Sequence, residues 1–248
     1  MAQTVVIAHR GASGTAPENT LSAVKRALEM GADQIEIDVH LSKDGEVIVI
    51  HDPTLERTTT GTGTVEEHTL QELKKLDAGT WFSEKFTGEP IPTLEEVLDM
   101  IDGKAVLLIE IKHGKQHLYE GISQKVIERV RKKKAASWVI IQSFETEVVE
   151  ECIELAPDLE VHKLIVTNIP LLPLYTDGKL RFGSPFSFKG IKGLNPYHKT
   201  LSKRFVRKAH KKGWKVFTYT VNEEKAIQRC RELGVDGIIT NFPERVKR

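Results

Sequence analysis

Thiols are scarce in this chain: Cys152 and Cys230 are the only two cysteines in 248 residues. They stand far apart, each inside a helical pattern, and neither has a CxxC partner. That usage argues against a zinc site and requires no disulfide. Long apolar runs are missing as well. None approaches the ~20 residues that span a bilayer, so no stable membrane insertion is expected. The N-terminus, Met1 to Thr4 ahead of Val5-Val6-Ile7-Ala8, lacks the basic region, apolar core and cleavage site of a secretory signal. A cytoplasmic location is the expectation. An excess of charge of one sign is also lacking. Lys and Arg number 36 against 35 Asp and Glu, a formal net charge of +1. Nothing global therefore draws the molecule to nucleic acid, and any anion must be held by a local cluster. Finally, there is no glycine-rich phosphate loop. The first apolar run ends in His9-Arg10-Gly11, with neither GxGxxG nor GxxxxGK[ST].

What is present is an alternation of short apolar runs and longer helical patterns. Strands are expected at 4–8, 33–38, 105–111, 138–142, 160–166, 191–195, 214–220 and 236–240. Helices are expected at 19–30, 93–102, 118–134, 145–156, 202–212 and 223–233. Thr93 followed by Glu95-Glu96 marks a helix start. Gly31, Gly213 and Gly234 fall where helix C-caps belong. Strand-then-helix repetition implies parallel strands, and the length favours closure into a (β/α)8 TIM barrel over an open sheet. The stretch 170–190 reads as irregular. Residues 39–50 read as a hairpin with its turn at 43–46, which would pair 42 with 47, 40 with 49 and 38 with 51. Residues 53–92, with a short helical pattern near 68–76, are too long for a simple loop. They are expected to form a small cap inserted in a single catalytic domain spanning 1–248.

The chemistry concentrates at strand ends. In Glu36-Ile37-Asp38-Val39-His40 the two-residue period of a strand puts Glu36 and Asp38 on one face. Paired carboxylates repel each other and resist burial, and a hard cation relieves both terms. Glu110, near the end of another strand, makes a third carboxylate. An all-oxygen set points to Ca2+ or Mg2+. The hairpin brings His51 beside Asp38, as an acid/base group or a ligand. Arg10 suits a forked contact to phosphate, and Lys112 can neutralise a phosphate oxygen. Phe144 and Trp214 are expected to pack the barrel, and Trp81 and Phe82 to plug the insertion. His68, His113, His117, His162 and His210 receive no role.

With these residues in place, the chain resembles the glycerophosphodiester phosphodiesterase family over nearly its full length. The matching stretches are His9-Arg10-Gly11, Pro17-Glu18-Asn19-Thr20, Glu36 to His40, His51-Asp52, Leu55 to Thr59, Glu110-Ile111-Lys112, Gln142-Ser143-Phe144, Thr220-Val221-Asn222 and Asp236 to Thr240. The resemblance implies a (β/α)8 barrel with an inserted subdomain. It implies Glu36, Asp38 and Glu110 as ligands of the divalent ion, and His9 and His51 as an acid/base pair. Arg10 and Lys112 would hold the phosphate of a small-molecule glycerophosphodiester. Hydrolysis to an alcohol and glycerol 3-phosphate, through a cyclic phosphate or by direct water attack, is the expected activity. A related enzyme acting on lysophospholipids or another headgroup diester, and a non-catalytic phosphate-binding barrel, are the alternatives. One departure stands out: such proteins often carry Asp where this chain has Asn241. Headgroup preference and oligomeric state leave no mark in the sequence.

Overall fold

The computed structural model describes residues 4–169 and 174–246. Residues 1–3, read as part of a terminus without a signal, and 170–173, read as irregular, lie outside the described residues. In chain order the elements are β1 (Val5–Ala8), α1 (Leu21–Glu29), β2 (Gln34–Leu41), β3 (Val47–Val49), α2 (Leu70–Leu73), α3 (Leu94–Ile101), β4 (Val106–Ile111), α4 (Ile122–Lys132), β5 (Val139–Ser143) and α5 (Thr146–Leu155). There follow β6 (Glu160–Ile165), β7 (Thr167–Ile169), β8 (Leu174–Thr176), β9 (Leu180–Phe182), β10 (Gly193–Pro196), α6 (Lys203–His210), β11 (Phe217–Thr218), α7 (Glu224–Leu233) and β12 (Gly237–Thr240).

Eight parallel strands run in the order β10-β6-β5-β4-β2-β1-β12-β11. The ring closes between β10 and β11 through single parallel bridges, Gly193 to Lys215 and Tyr197 to Tyr219. The chain is therefore a nearly closed (β/α)8-type barrel. Alternation decides which side chain goes where. Ile35, Ile37 and Val39 join Ile109 and Val161 in the main core between sheet and helices. A smaller buried cluster holds Ile7, Leu108, Ile140, Phe217 and Ile239. In register, Glu36 stands beside Leu108, and Asp38 beside Glu110. The carboxylates thus share a face with the smaller cluster, Glu36 level with Leu108 and Asp38 and Glu110 two positions nearer the strand C-termini, where barrel enzymes build their sites. Cys152 and Cys230 are free and buried, in α5 and α7. Among the described residues no helix is long and apolar enough to cross a membrane.

Three expectations need correction. First, among the described residues no helix lies between β6 and β10. The connection is instead a three-stranded antiparallel sheet, β7-β8-β9. This is why the 170–190 stretch showed no helical period. Second, the hairpin register is one residue off. Val39 faces Val49, His40 faces Ile48, and Leu41 faces Val47. The turn uses three residues, 43–45: Ser42 N donates to Glu46 O at 3.0 Å and Gly45 has φ +79°. A left-handed glycine after a type I turn gives an odd loop, not the even one assumed. Asp38 is consequently opposite Ile50, whose N–H donates to its carbonyl at 3.1 Å. Third, Trp81 is 41% exposed and plugs nothing. Its Nε1 donates to Ala78 O at 2.9 Å, and its ring meets Phe82 edge-on.

The segment after β3 has a core of its own, where Ile48 and Ile50 meet Leu55, Val65, Leu73, Ala78 and Ile91. Asp77 ties that segment together, accepting from the backbone N–H groups of Gly79, Thr80 and Gly88. The segment rejoins the barrel at α3, where Thr93 caps the helix. Its hydroxyl accepts from Glu96 N, and Glu96 Oε2 accepts from Thr93 N at 2.7 Å. Thr93→Ala removes one half of this reciprocal cap. We expect a loss of about 1 kcal/mol, read as a drop of roughly 2–4 °C in thermal unfolding. Activity per folded molecule should be retained.

Candidate active site

The site is built at the C-terminal ends of β1, β2 and β4. β1 runs into His9-Arg10-Gly11, where the chain turns sharply: Arg10 has φ +54° and Gly11 φ +77°. A Cβ on Gly11 would sit 2.6 Å from the backbone of Ala23, so glycine is required there. Arg10, a non-glycine residue in the left-handed region, is strained. Three bonds hold the turn. Arg10 N donates to Glu36 Oε2 at 2.9 Å, Gly11 N to Glu36 O at 3.1 Å, and Asn19 N to Arg10 O at 3.0 Å.

Glu36, Asp38 and Glu110 each offer an oxygen within 4.8 Å of the others, and all three are buried. Glu36 Oε1 and Asp38 Oδ1 are buried with no hydrogen-bond partner among the described residues. Such orphaned acceptors are costly unless something positive meets them. The field at the two carboxylates is divided. Burial, then Asp38 and Glu110, push Glu36 well above the usual carboxylate range. Burial pushes Asp38 up too, but Lys112 and Arg10 outweigh it and hold Asp38 well below that range. Lys112 Nζ lies 2.6 Å from Glu110 Oε1 and 3.6 Å from Asp38 Oδ1. Arg10 Nε lies 3.4 Å from Asp38 Oδ2. Oxygen donors, crowded negative charge and unmet lone pairs together fit a hard divalent cation.

Two histidines flank this cluster. His9 Nδ1 donates to Asn241 Oδ1 at 2.7 Å, leaving Nε2 4.0 Å from Glu36 Oε2. Burial, then Arg10, push the His9 ring down to about 4. His51 leaves the hairpin one residue beyond Ile50, so the corrected register still delivers it. Its Nδ1 meets Asp52 Oδ1 at 2.6 Å, and its Nε2 lies 3.2 Å from Lys112 Nζ. All seven residues expected from the sequence therefore converge.

Several others had been passed over. Asn19, at φ +57°, clamps Asp38, donating to Oδ2 at 2.8 Å and accepting from its N–H at 3.1 Å. Glu18 bridges Arg10 and Arg57, each at 2.7 Å, and Arg57 Nε reaches Asp52 Oδ2. Burial pushes Asp52 up, yet bonds from Arg57 and His51 hold it at about 2. His40 is fully buried between the Tyr119 hydroxyl and the carbonyl of His51, each at 2.9 Å. The matched stretches at 17–20, 36–40, 51–52 and 55–59 were the available signal for them. Phe144, expected in barrel packing, instead lines a cleft beside Glu110 and Lys112. His113 lines the same cleft.

Comparison with known proteins agrees with the fold. A profile of the glycerophosphoryl diester phosphodiesterase family matches residues 9–245. A glycerophosphodiester phosphodiesterase of Caldanaerobacter subterraneus is 43% identical over 243 residues, covering 98% of this chain and 96% of that one. The crystal structure of a glycerophosphodiester phosphodiesterase from Agrobacterium tumefaciens superposes with a TM-score of 0.81 at 29% identity, covering 98% of this chain and 99% of that one. An Oleispira antarctica phosphodiesterase, solved in complex with the product sn-glycerol-3-phosphate, does so with a TM-score of 0.83 at 28% identity, covering 98% and 95%.

The buried histidines make stability depend on pH. Burial, opposed by the bond to the His51 carbonyl, pushes His40 from 6.5 down to about 4. Between those values the unfolded chain takes up a proton that the folded chain refuses. Stability from this source is complete above pH 6.5 and is lost as pH falls towards 4, by on the order of 3 kcal/mol per such histidine. Urea unfolding in chelator at pH 7 and pH 5 should show the loss, and His40→Gln should make the slope shallower by about one proton.

Proposed function

The chain belongs to the glycerophosphoryl diester phosphodiesterase family, and from that premise we propose how its residues hydrolyse a glycerophosphodiester to an alcohol and glycerol 3-phosphate. The observation that carries the reading is the buried triad Glu36, Asp38 and Glu110 with two orphaned oxygens, flanked by His9 and His51. The three carboxylates would hold Ca2+ or Mg2+. When bound, that ion supplies Lewis acidity to a phosphate oxygen.

The protein's own groups do the remainder. Arg10 and Lys112 orient the phosphate and offset charge that builds on it in the transition state. His9 and His51 transfer protons. Asp52, ionised by its contacts, fixes one His51 nitrogen and leaves Nε2 for chemistry. Asn241 does the same for His9, but as a neutral amide it orients the ring without adding charge. The substrate's free hydroxyl next to the esterified carbon is tethered near phosphorus, an advantage over bulk water. A two-step route follows. That hydroxyl expels the headgroup alcohol to give a cyclic glycerol phosphate, and water then opens the ring, with the histidines exchanging acid and base roles. The segment 53–92 would act as a cap on this single catalytic domain. A cytoplasmic setting suits the two free thiols.

His9→Ala and His51→Ala are each expected to lose roughly 10²–10⁴-fold in rate, and turnover near normal in either would remove it from the pair. Asp38→Ala should lose calorimetric binding of Ca2+ or Mg2+ together with activity. A diester lacking the neighbouring hydroxyl should bind without being cleaved. Its turnover at a rate close to the natural substrate's would replace the cyclic route with direct attack by water.

A further inference from the structure

Phosphate chemistry does not account for the whole cleft beside Glu110 and Lys112. Its walls come from Ser143, Phe144 and Glu145 at the end of β5, and from Asp177 to Lys179 at the turn between β8 and β9. Beneath these walls Lys163 has no exposed side chain. Its Nζ donates to the carbonyls of Phe144 and Leu164 and, at 3.0 Å, to Asp177 Oδ2. Asp177, also buried, accepts from Arg181 at 3.0 Å. This cation and carboxylate satisfy each other and pin both walls in place.

Glu145 is in a different position. Its side chain is nine-tenths buried, with 10% exposed. Among the described residues no hydrogen bond reaches its carboxylate. The nearest basic groups are Lys179 Nζ at 3.8 Å and the His113 ring Nε2 at 3.9 Å, on side chains 70% and 52% exposed, and the buried Lys163 ammonium attracts the carboxylate from farther off. A carboxylate so placed has no hydrogen-bonded cation of its own, and an ammonium entering the cleft would supply one. The neighbouring Phe144 ring lines the same cleft and stands edge-on to Tyr219, 5.8 Å between centroids. An aromatic ring beside a buried carboxylate is the chemistry that recognises an ammonium group.

We propose that this cleft is the leaving-group subsite, and that Glu145 and Phe144 make it select headgroup alcohols bearing an ammonium. The proposal rests on the glycerophosphodiester reading above. The cleft is continuous with Glu110 and Lys112, so an alcohol bonded to phosphorus there extends towards Glu145. The glycerol half carries only neutral hydroxyls beyond the phosphate, which can donate hydrogen bonds to Glu145 but bring no opposite charge.

The test compares two diesters of one shape. One carries a choline headgroup, the other its 3,3-dimethylbutyl isostere, in which carbon replaces the charged nitrogen. Wild-type kcat/KM should favour the cation by roughly 10- to 100-fold, mostly through KM. Glu145→Gln should bring that ratio most of the way to unity, and Phe144→Leu should lower it severalfold, which decides the matter if Glu145→Gln fails to fold. Inhibition by glycerol 3-phosphate, the half common to every substrate, should persist in Glu145→Gln. Equal wild-type kcat/KM for the two diesters overturns the proposal. So does a ratio that neither variant changes, or loss of glycerol 3-phosphate inhibition in Glu145→Gln, which would place the glycerol half in the cleft. Calorimetric binding of both diesters gives the same comparison without turnover. A protein that discriminates but does not cleave sinks the hydrolase reading and keeps the subsite. One that does neither overturns both.

Discussion

Three carboxylates packed within 4.8 Å of one another, out of water, set the terms for everything around them. Left alone they would repel, take up protons or unfold the strand ends that carry them. The molecule answers with fixed positive charge on two sides, Arg10 from β1 and Lys112 from β4. The answer is incomplete, since two oxygens remain without a bond. That incompleteness is what a bound cation would relieve. The surrounding features support the same balance. The strained Arg10 turn brings a backbone N–H to Glu36, Asn19 grips Asp38 from two directions, and Glu18 shares itself between Arg10 and Arg57.

Much of this was legible because a strand has a period of two. That period alone put Glu36 and Asp38 on one face, and Glu110 with Lys112 on another strand's matching face. The barrel register then placed Asp38 beside Glu110. The hairpin shows where such reasoning stops. Its register depends on whether the turn holds an even or odd number of residues, and Gly45 serves either. His51 reached the site regardless, because it lies just past the ladder, where a one-residue shift moves it little. Bridging residues stood in matched stretches, but their pairing was illegible for another reason. Glu18 and Arg57 are 39 positions apart, and nothing local in either announces a shared partner. The sheet that stands between β6 and β10 in place of a helix, among the described residues, was visible only as the failure of a pattern.

The rim of the site is divided between two insertions of unlike construction. The segment after β3 has its own apolar core and several capped turns. The β7-β8-β9 sheet is fastened by the buried Lys163–Asp177 pair, while Leu180 and Phe182 stand exposed on its outer strand. A buried ion pair contributes little net stability compared with apolar packing, but it fixes one arrangement firmly. At the edge of a substrate cleft, a fixed arrangement matters more than added stability.

The contact between His9 and Asn241 joins residues 232 positions apart, and β1 is paired with β12 along its whole length. On the ribosome, His9 is made 232 residues before the neighbour that orients it. Until then β1 lacks the parallel partner that β12 supplies along its whole length. The orientation of the His9 ring is thus set only when β12 docks against β1. A fragment ending short of that strand would carry all seven principal side chains and still lack the ring that sets them.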